Sequence, residues 1–170
     1  MRLQLSTSSD ITNILQIIND AKVYLKSKEI DQWQHGYPNK SQIEKDIANN
    51  ESYVLINHAN QVIATSMFSI RPEPTYEVID GAWKINENEK YGVIHRLAIH
   101  KNHRKKGIAS FVFDEFHKLL VKQQIRSLKI DTHEDNHEMQ YLVKKLGYLY
   151  CGIIFTEYNA KRLAFEKVIF

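Results

Sequence analysis

Cysteine is almost absent from this 170-residue chain: Cys151 stands alone. One thiol excludes an intrachain disulfide framework and any cysteine-rich zinc site, so no bound metal is expected. Proline and glycine are sparse, at 3 and 6 residues, which leaves little punctuation at which to split the chain. No stretch approaches the roughly 18 apolar residues of a membrane-spanning helix. The opening Met1-Arg-Leu-Gln-Leu-Ser6 has no long apolar core and no cleavage-site pattern, so no signal peptide is expected. Charge of one sign is not in excess either: Lys plus Arg is 23 and Asp plus Glu is 20, a net +3. That balance speaks against a nucleic-acid-binding surface. What remains is an ordinary globular mixture, 43% hydrophobic and 25% charged, long enough for one domain spanning residues 1–170. A soluble, reduced, cytoplasmic protein is the simplest expectation.

Periodicity gives a mixed α/β order. Arg2 to Leu5 reads as a strand. Ser8, Ser9 and Asp10 offer N-caps for a helix whose stripe Ile11, Ile14, Leu15, Ile18, Ala21 and Leu25 runs to about Lys26. Ser41 and Glu44 form a capping-box pattern that predicts a second helix to Ala48. Ser52 to Ile56 and Gln61 to Ser69 predict a hairpin, and residues 70 to 90 an irregular connection. Tyr91 to Ile99 reads as a strand with Val93, Leu97 and Ile99 on one face. A long helix follows from about Gly107 to Gln124, then a strand at Leu128 to Thr132. A short helix spans Asn136 to Leu146 with Gly147 as its C-terminal stop, and two strands close the chain at Tyr148 to Phe155 and Arg162 to Val168. The predicted order is β-α-α-β-β-β-α-β-α-β-β.

The chemistry concentrates where a strand runs into a helix. His100-Lys-Asn-His-Arg-Lys-Lys106 holds four cations and two histidines with no acid. By itself such a run is a solvated loop. Here Gly107-Ile-Ala-Ser110 follows and opens a helix. A helix start presents unpaired N–H groups and partial positive charge, which suits a phosphate. Arg104, Lys105 and Lys106 add charge there, Gly107 allows close approach and small Ala109 avoids crowding. The loop is neither a Walker A loop nor a dinucleotide fingerprint, since only one glycine is present. The physical reading is a pyrophosphate site for a charged cofactor.

Arg104-Lys-Lys-Gly-Ile-Ala109 resembles the Arg/Gln-x-x-Gly-x-Gly/Ala motif of the GNAT superfamily of N-acetyltransferases. Leu97-Ala-Ile99 resembles the cofactor-facing strand of that family. Asn136-His-Glu-Met139, Leu142, Lys145 and Gly147-Tyr148 resemble its second motif, in family order and with matching spacing. Asp31-Gln-Trp-Gln-His-Gly-Tyr-Pro38 with Pro74-Thr-Tyr76 resembles a bacterial subgroup, which names no substrate. The resemblance implies the acyl-CoA N-acyltransferase fold, acetyl-CoA as acyl donor and an amine acceptor. It implies that the backbone of Leu97, Ala98 and Ile99 pairs with the pantetheine arm as an added strand would. It implies that N–H groups from Arg104 through Lys105, Lys106, Gly107 and Ile108 to Ala109 hold the pyrophosphate. Asn136 would bond the pantetheine side, although a plain helix N-cap explains it equally well. Family members also dimerise through C-terminal strands, so a homodimer is one option.

Acetyl transfer needs a base, because an amine of pKa near 10.4 arrives charged. Asp131 lies five residues before Asn136, a spacing at which some N-terminal acetyltransferases of the family carry a glutamate base. His95, on the cofactor strand, is the second choice, and His133 and Glu134 are weaker ones. The tyrosine that the family often places seven residues after the Asn, as acid, is here Val143. Tyr141 lies about 200° away around the helix. For the acceptor, Trp33 and Tyr37 in the first loop and Tyr76 and Trp83 in segment 71–90 offer flat rings for a cation or an apolar part. That segment holds five acids against three cations, a field that would attract an amine. The missing tyrosine keeps a second reading open, a non-catalytic acyl-CoA-binding or sensor module.

Overall fold

The computed structural model describes residues Met1–Phe170. Its strands are β1 (Arg2–Leu5), β2 (Ser52–Ile56), β3 (Val62–Ser69), β4 (Asp80–Gly81), β5 (Gly92–Ile99), β6 (Ser127–Thr132), β7 (Leu149–Phe155) and β8 (Lys161–Val168). Its helices are α1 (Ile11–Ser27), α2 (Lys40–Ala48), α3 (Ile108–Lys122) and α4 (His137–Lys145). The fold is the expected mixed α/β order with one addition, β4, inside the connection that sequence reads as irregular. The strands form one mixed sheet in the order β1-β2-β3-β5-β6-β8-β7-β4. The β5–β6 ladder is parallel and carries only the pairs Gly92↔Leu128 and Val93↔Lys129. No helix is long and apolar enough to cross a membrane.

One helix start matches expectation and one differs. Asp10, one of the three expected caps, is the N-cap of α1, and Thr7 caps the 3-10 turn Ser8–Asp10 before it, its N–H donating to Asp10 Oδ2 at 2.8 Å. Before α2, the cap is Asn39, whose Oδ1 accepts from Gln42 N at 3.0 Å, so the Ser41–Glu44 box does not form. Asn39 captures the free N–H groups two residues earlier, which puts Ser41 inside the helix.

The four helices stop in the same way, and this explains the scarcity of glycine. A left-handed residue follows each C-cap: Glu29, Asn50, Gln124 and Gly147. The next N–H then bonds back to the last turn, Ile30 to Leu25 O, Glu51 to Asp46 O, Ile125 to Leu120 O and Tyr148 to Val143 O. This is the Schellman geometry. The residue after the turn is buried in each case, apolar or aromatic after α1, α3 and α4 (Ile30, Ile125, Tyr148) and Glu51 after α2, and only α4 uses glycine for the stop.

Glycine is indispensable at β4. Gly81 and Gly152 face each other in the β4–β7 register. A Cβ on Gly81 would lie 2.1 Å from Cys151 O, and one on Gly152 would lie 2.2 Å from Asp80 O. The two chains meet only because neither residue has a side chain.

The chain divides into two compact units, each with its own core. The first comprises Met1–Phe68 and His95–Glu115; the second comprises Ser69–Ile94 and Phe116–Phe170. In the first, Ile14, Ile17 and Ile18 of α1 pack with Ile43, Val54 and Ala98. In the second, Tyr76, Val93, Ile154 and Ala164 pack with Ile79, Trp83 and Tyr91.

Candidate active site

In the first unit, β5 does not keep its pleat. Strict alternation would place Val93, Leu97 and Ile99 on one buried face. Val93 is buried as expected, but so are Ile94 and Ala98, while Leu97 and Ile99 are only half-buried. The irregularity coincides with Arg96, which sits at φ +54 in mid-strand. A non-glycine residue there is strained and must be held by its surroundings. Arg96 Nε and Nη2 donate to Asp46 Oδ2 and Oδ1 at 2.9 and 2.8 Å, and Nη1 donates to the Tyr37 hydroxyl. Both charged side chains are nearly sealed from water, at 8% and 3% exposure. Gln42 Nε2 adds a bond to Asp46 Oδ1 at 2.8 Å.

His95 precedes this kink, and its carbonyl accepts from Ser66 Oγ at 3.3 Å. Further along, His100 N donates to Ile63 O at 2.9 Å, which ties the end of β5 to β3. The turn that follows has alternating φ signs. Lys105 is at +60 and Gly107 at +74, with Arg104 at −64 and Lys106 outside the left-handed region. A turn that alternates in this way is suited to presenting successive N–H groups on one side, as an anion-binding nest does, with Arg104 itself extended at ψ 155. The nest opens directly into α3, whose first N–H groups have no intrahelical partners. A Cβ on Gly107 would meet nothing within 4 Å, so the approach is open.

The cations of the loop divide their tasks. Arg104 Nε donates to Ile99 O at 3.3 Å, its guanidinium lies 4.7 Å from the Tyr24 ring centroid, and its Nη2 is buried with no protein partner. Lys106 Nζ donates to Asn102 O at 2.9 Å, and Lys101 reaches Asp20 at 3.8 Å. Lys105, Lys106 and Gly107 are exposed, Ile108 is buried and Ala109 half-buried. The nest, the open Gly107 and the orphaned Arg104 Nη2 together fit a pyrophosphate. Trp33, at φ +65, packs against the first unit's core. Tyr37 is engaged by Arg96, whose guanidinium lies 5.9 Å from the ring centroid.

In the second unit, Asp131 is half-buried on β6, and its Oδ2 accepts from the Tyr76 hydroxyl at 2.8 Å. Burial first, and then the Asp131 carboxylate, push the Tyr76 hydroxyl well above its ordinary pKa. Trp83 Nε1 donates to Tyr76 O at 3.0 Å, and the two rings lie 5.0 Å apart. Lys129, two residues before Asp131, points its ammonium at the Trp83 and Tyr91 rings, 4.3 and 3.7 Å from their centroids. Burial lowers its pKa. The Trp83 ring therefore already carries a cation of the chain itself.

Asn136 is the N-cap of α4, and its Oδ1 accepts from Met139 N at 3.1 Å. Glu134 pairs with Lys161 at 2.8 Å, and His133 Nδ1 accepts from Asp135 N at 3.1 Å. Val143 is fully buried, whereas Tyr141 is 69% exposed, as the helical angle requires. Of the acids in segment 71–90, Glu89 is taken by Arg126 at 2.7 and 3.0 Å, which lowers it to about 2. Glu73 caps the turn Pro74–Tyr76.

Sequence reasoning missed Arg96, Asp46, Tyr91 and Lys129. One signal was available. An Arg inside an apolar strand and an Asp in a short helix that also carries Ile43 and Ile47 are charges that must be paired if buried.

A kinked strand that feeds a turn with left-handed residues and then a helix start is an arrangement suited to an anion. Residues 14–148 match the model of the Acetyltransferase (GNAT) family. A GNAT-family acetyltransferase from Streptococcus agalactiae shares 30% identity, with a TM-score of 0.87 over 98% of this chain and 94% of its own. A putative acetyltransferase from Staphylococcus aureus shares the fold at 24% identity, with a TM-score of 0.76 over 100% of both chains. The ribosomal-protein-alanine N-acetyltransferase of Brucella melitensis shares it at 15% identity, with a TM-score of 0.68 over 99% of both chains. No curated protein matches the chain. This chain belongs to the GNAT acetyltransferase family, and membership indicates acetyltransferase activity.

Proposed function

We propose that this chain is a cytoplasmic, single-domain N-acetyltransferase that moves the acetyl group of acetyl-CoA to a primary amine of a small molecule or peptide. The observation that carries this reading is the nest at Arg104 to Gly107 opening into α3. Acetyl-CoA, when bound, supplies an acetyl group activated as a thioester. The N–H groups from Arg104 to Ala109 hold its pyrophosphate, with Arg104 Nη2 as a further donor. Leu97, Ala98 and Ile99 offer their backbone to the pantetheine arm, and Asn136 supports it while capping α4.

The reaction exchanges a C–S bond for a C–N bond, and one proton leaves the amine and returns to the thiol. Asp131 is the base we assign for the amine proton. Its partner Tyr76 keeps its own proton and so does not compete for it. No tyrosine fills the usual acid position, because Val143 is sealed in the core. A thiol pKa near 8.5 lets the leaving group depart without strong acid help.

The test is Asp131→Asn with thiol release followed over a panel of amines. Turnover falls about a hundredfold, the usual scale for a general base. Wild-type turnover at every pH removes Asp131 and passes the role to His95. The buried Val143 also supports the second reading, a non-catalytic acyl-CoA sensor. Binding of acetyl-CoA with no thiol release from any amine decides for it.

A further inference from the structure

We propose that Tyr76 is the positioning residue of Asp131, delivered to it by a strap, residues 73–91, that is latched onto one face of β6. The proposal rests on the assignment of Asp131 as base.

The face is written in the period of the strand. Ser127, Lys129 and Asp131 alternate with the buried apolar Leu128 and Ile130. Three polar residues in a row on a covered face need partners. The strap, with β8, supplies them. Ser127 Oγ donates to the fully buried Glu166, and the same carboxylate accepts from the backbone N–H of Lys84 in the strap. Lys129 lies against the rings of Trp83 and Tyr91. Asp131 takes the Tyr76 hydroxyl. The contact to Asp131 is thus the last of three rungs.

Tyr76 is itself fixed from several sides. Its N–H donates to Glu73 O at 2.9 Å, and Glu73 Oε1 accepts from the Thr75 hydroxyl at 3.0 Å. Glu73 N in turn bonds the Tyr91 hydroxyl at 3.1 Å. Trp83 closes the other end through its indole N–H. The residue is 3% exposed, whereas Asp131 is half-buried. A rigid, sealed donor on a more open carboxylate is what orients a base without blocking it. The charged and titratable groups facing Tyr76 are Asp131 of β6 and Glu73 and Tyr91 of the strap. The carboxylates among them oppose loss of its proton, so it stays a donor across the working pH range.

Tyr76→Phe removes one oxygen and keeps the ring. We expect kcat to fall about tenfold to a hundredfold, the scale of a misplaced catalytic group, with the KM for acetyl-CoA unchanged. In an Asp131→Ala background the same change does nothing further, because its effect passes through the carboxylate. Effects that multiply, or a wild-type kcat for Tyr76→Phe, overturn the proposal. Wild-type kcat for Asp131→Ala overturns instead the assignment of the base. A second measurement needs no acceptor. In protein labelled with 13Cζ-tyrosine, the Tyr76 signal is the one missing from Tyr76→Phe. It shifts at pH 8 on Asp131→Ala if the bond is present in solution; an unmoved signal overturns the proposal.

Discussion

Asp46→Ala lowers stability by about 3–5 kcal/mol, read as a shifted urea midpoint at unchanged slope. The size follows from what is left behind. The Arg96 guanidinium is held by both Asp46 oxygens in a place where the two side chains are nearly sealed from water. Removing the carboxylate strands a buried cation, and the cost of that exceeds what the pair contributes while intact. A second loss follows, because Arg96 is the residue at φ +54. Without its anchor the strand relaxes toward a regular pleat, and the register of Leu97 to Ile99, which we propose to face acetyl-CoA, changes with it. Acetyl-CoA affinity measured by calorimetry therefore falls in the folded fraction as well. Unchanged stability in Asp46→Ala would show that the pair is not formed in solution.

Gly107→Trp abolishes measurable binding of CoA and acetyl-CoA, a loss of at least about a hundredfold, or roughly 2.7 kcal/mol. Gly107 is at φ +74 beside open space. A Trp there fills the space that the pyrophosphate needs. Part of the effect is backbone strain, about 1–2 kcal/mol for a side chain in the left-handed region. Gly107→Ala isolates that part, since its Cβ meets nothing within 4 Å. The expected ranking is wild type, then Ala with modest loss, then Trp with none bound, all three folded by circular dichroism. Equal affinity in Trp and wild type would remove the phosphate site from this turn.

The local grammar of the chain was legible because helix and strand signals are local. The stripe of α1, the helix that starts after Gly107, the cap at Asn136 and the stop at Gly147 all fall within a few residues of where the structure has them. Among the caps, a competing signal misled at α2. Ser41 and Asn39 both satisfy the rules for α2, and the structure uses the earlier one. Long-range pairings were not legible. Asp46 and Arg96 are 50 residues apart, and Tyr76 and Asp131 are 55 apart. Neither pair has a periodic signature. Alternation in β5 fails around Arg96, whose side chain is anchored on another element. β4 escaped notice because two residues carry no pattern, and its glycine matters only opposite Gly152. The site divides along the same line. The nest was readable from a motif, but the neighbours of Asp131 depend on a strap whose fold no motif encodes.

The lone cysteine has a practical consequence for every turnover experiment above. Cys151 is buried, and burial together with the nearby Glu166 pushes its thiol up to about 11. Disulfide reagents attack thiolate, not thiol. At pH 8 only about one Cys151 in a thousand is ionised, and that one is shielded from solvent. A chromogenic disulfide added to the reaction therefore reads liberated coenzyme alone. The native enzyme serves as its own blank, and colour appearing in the absence of an amine reports hydrolysis of the thioester rather than the protein.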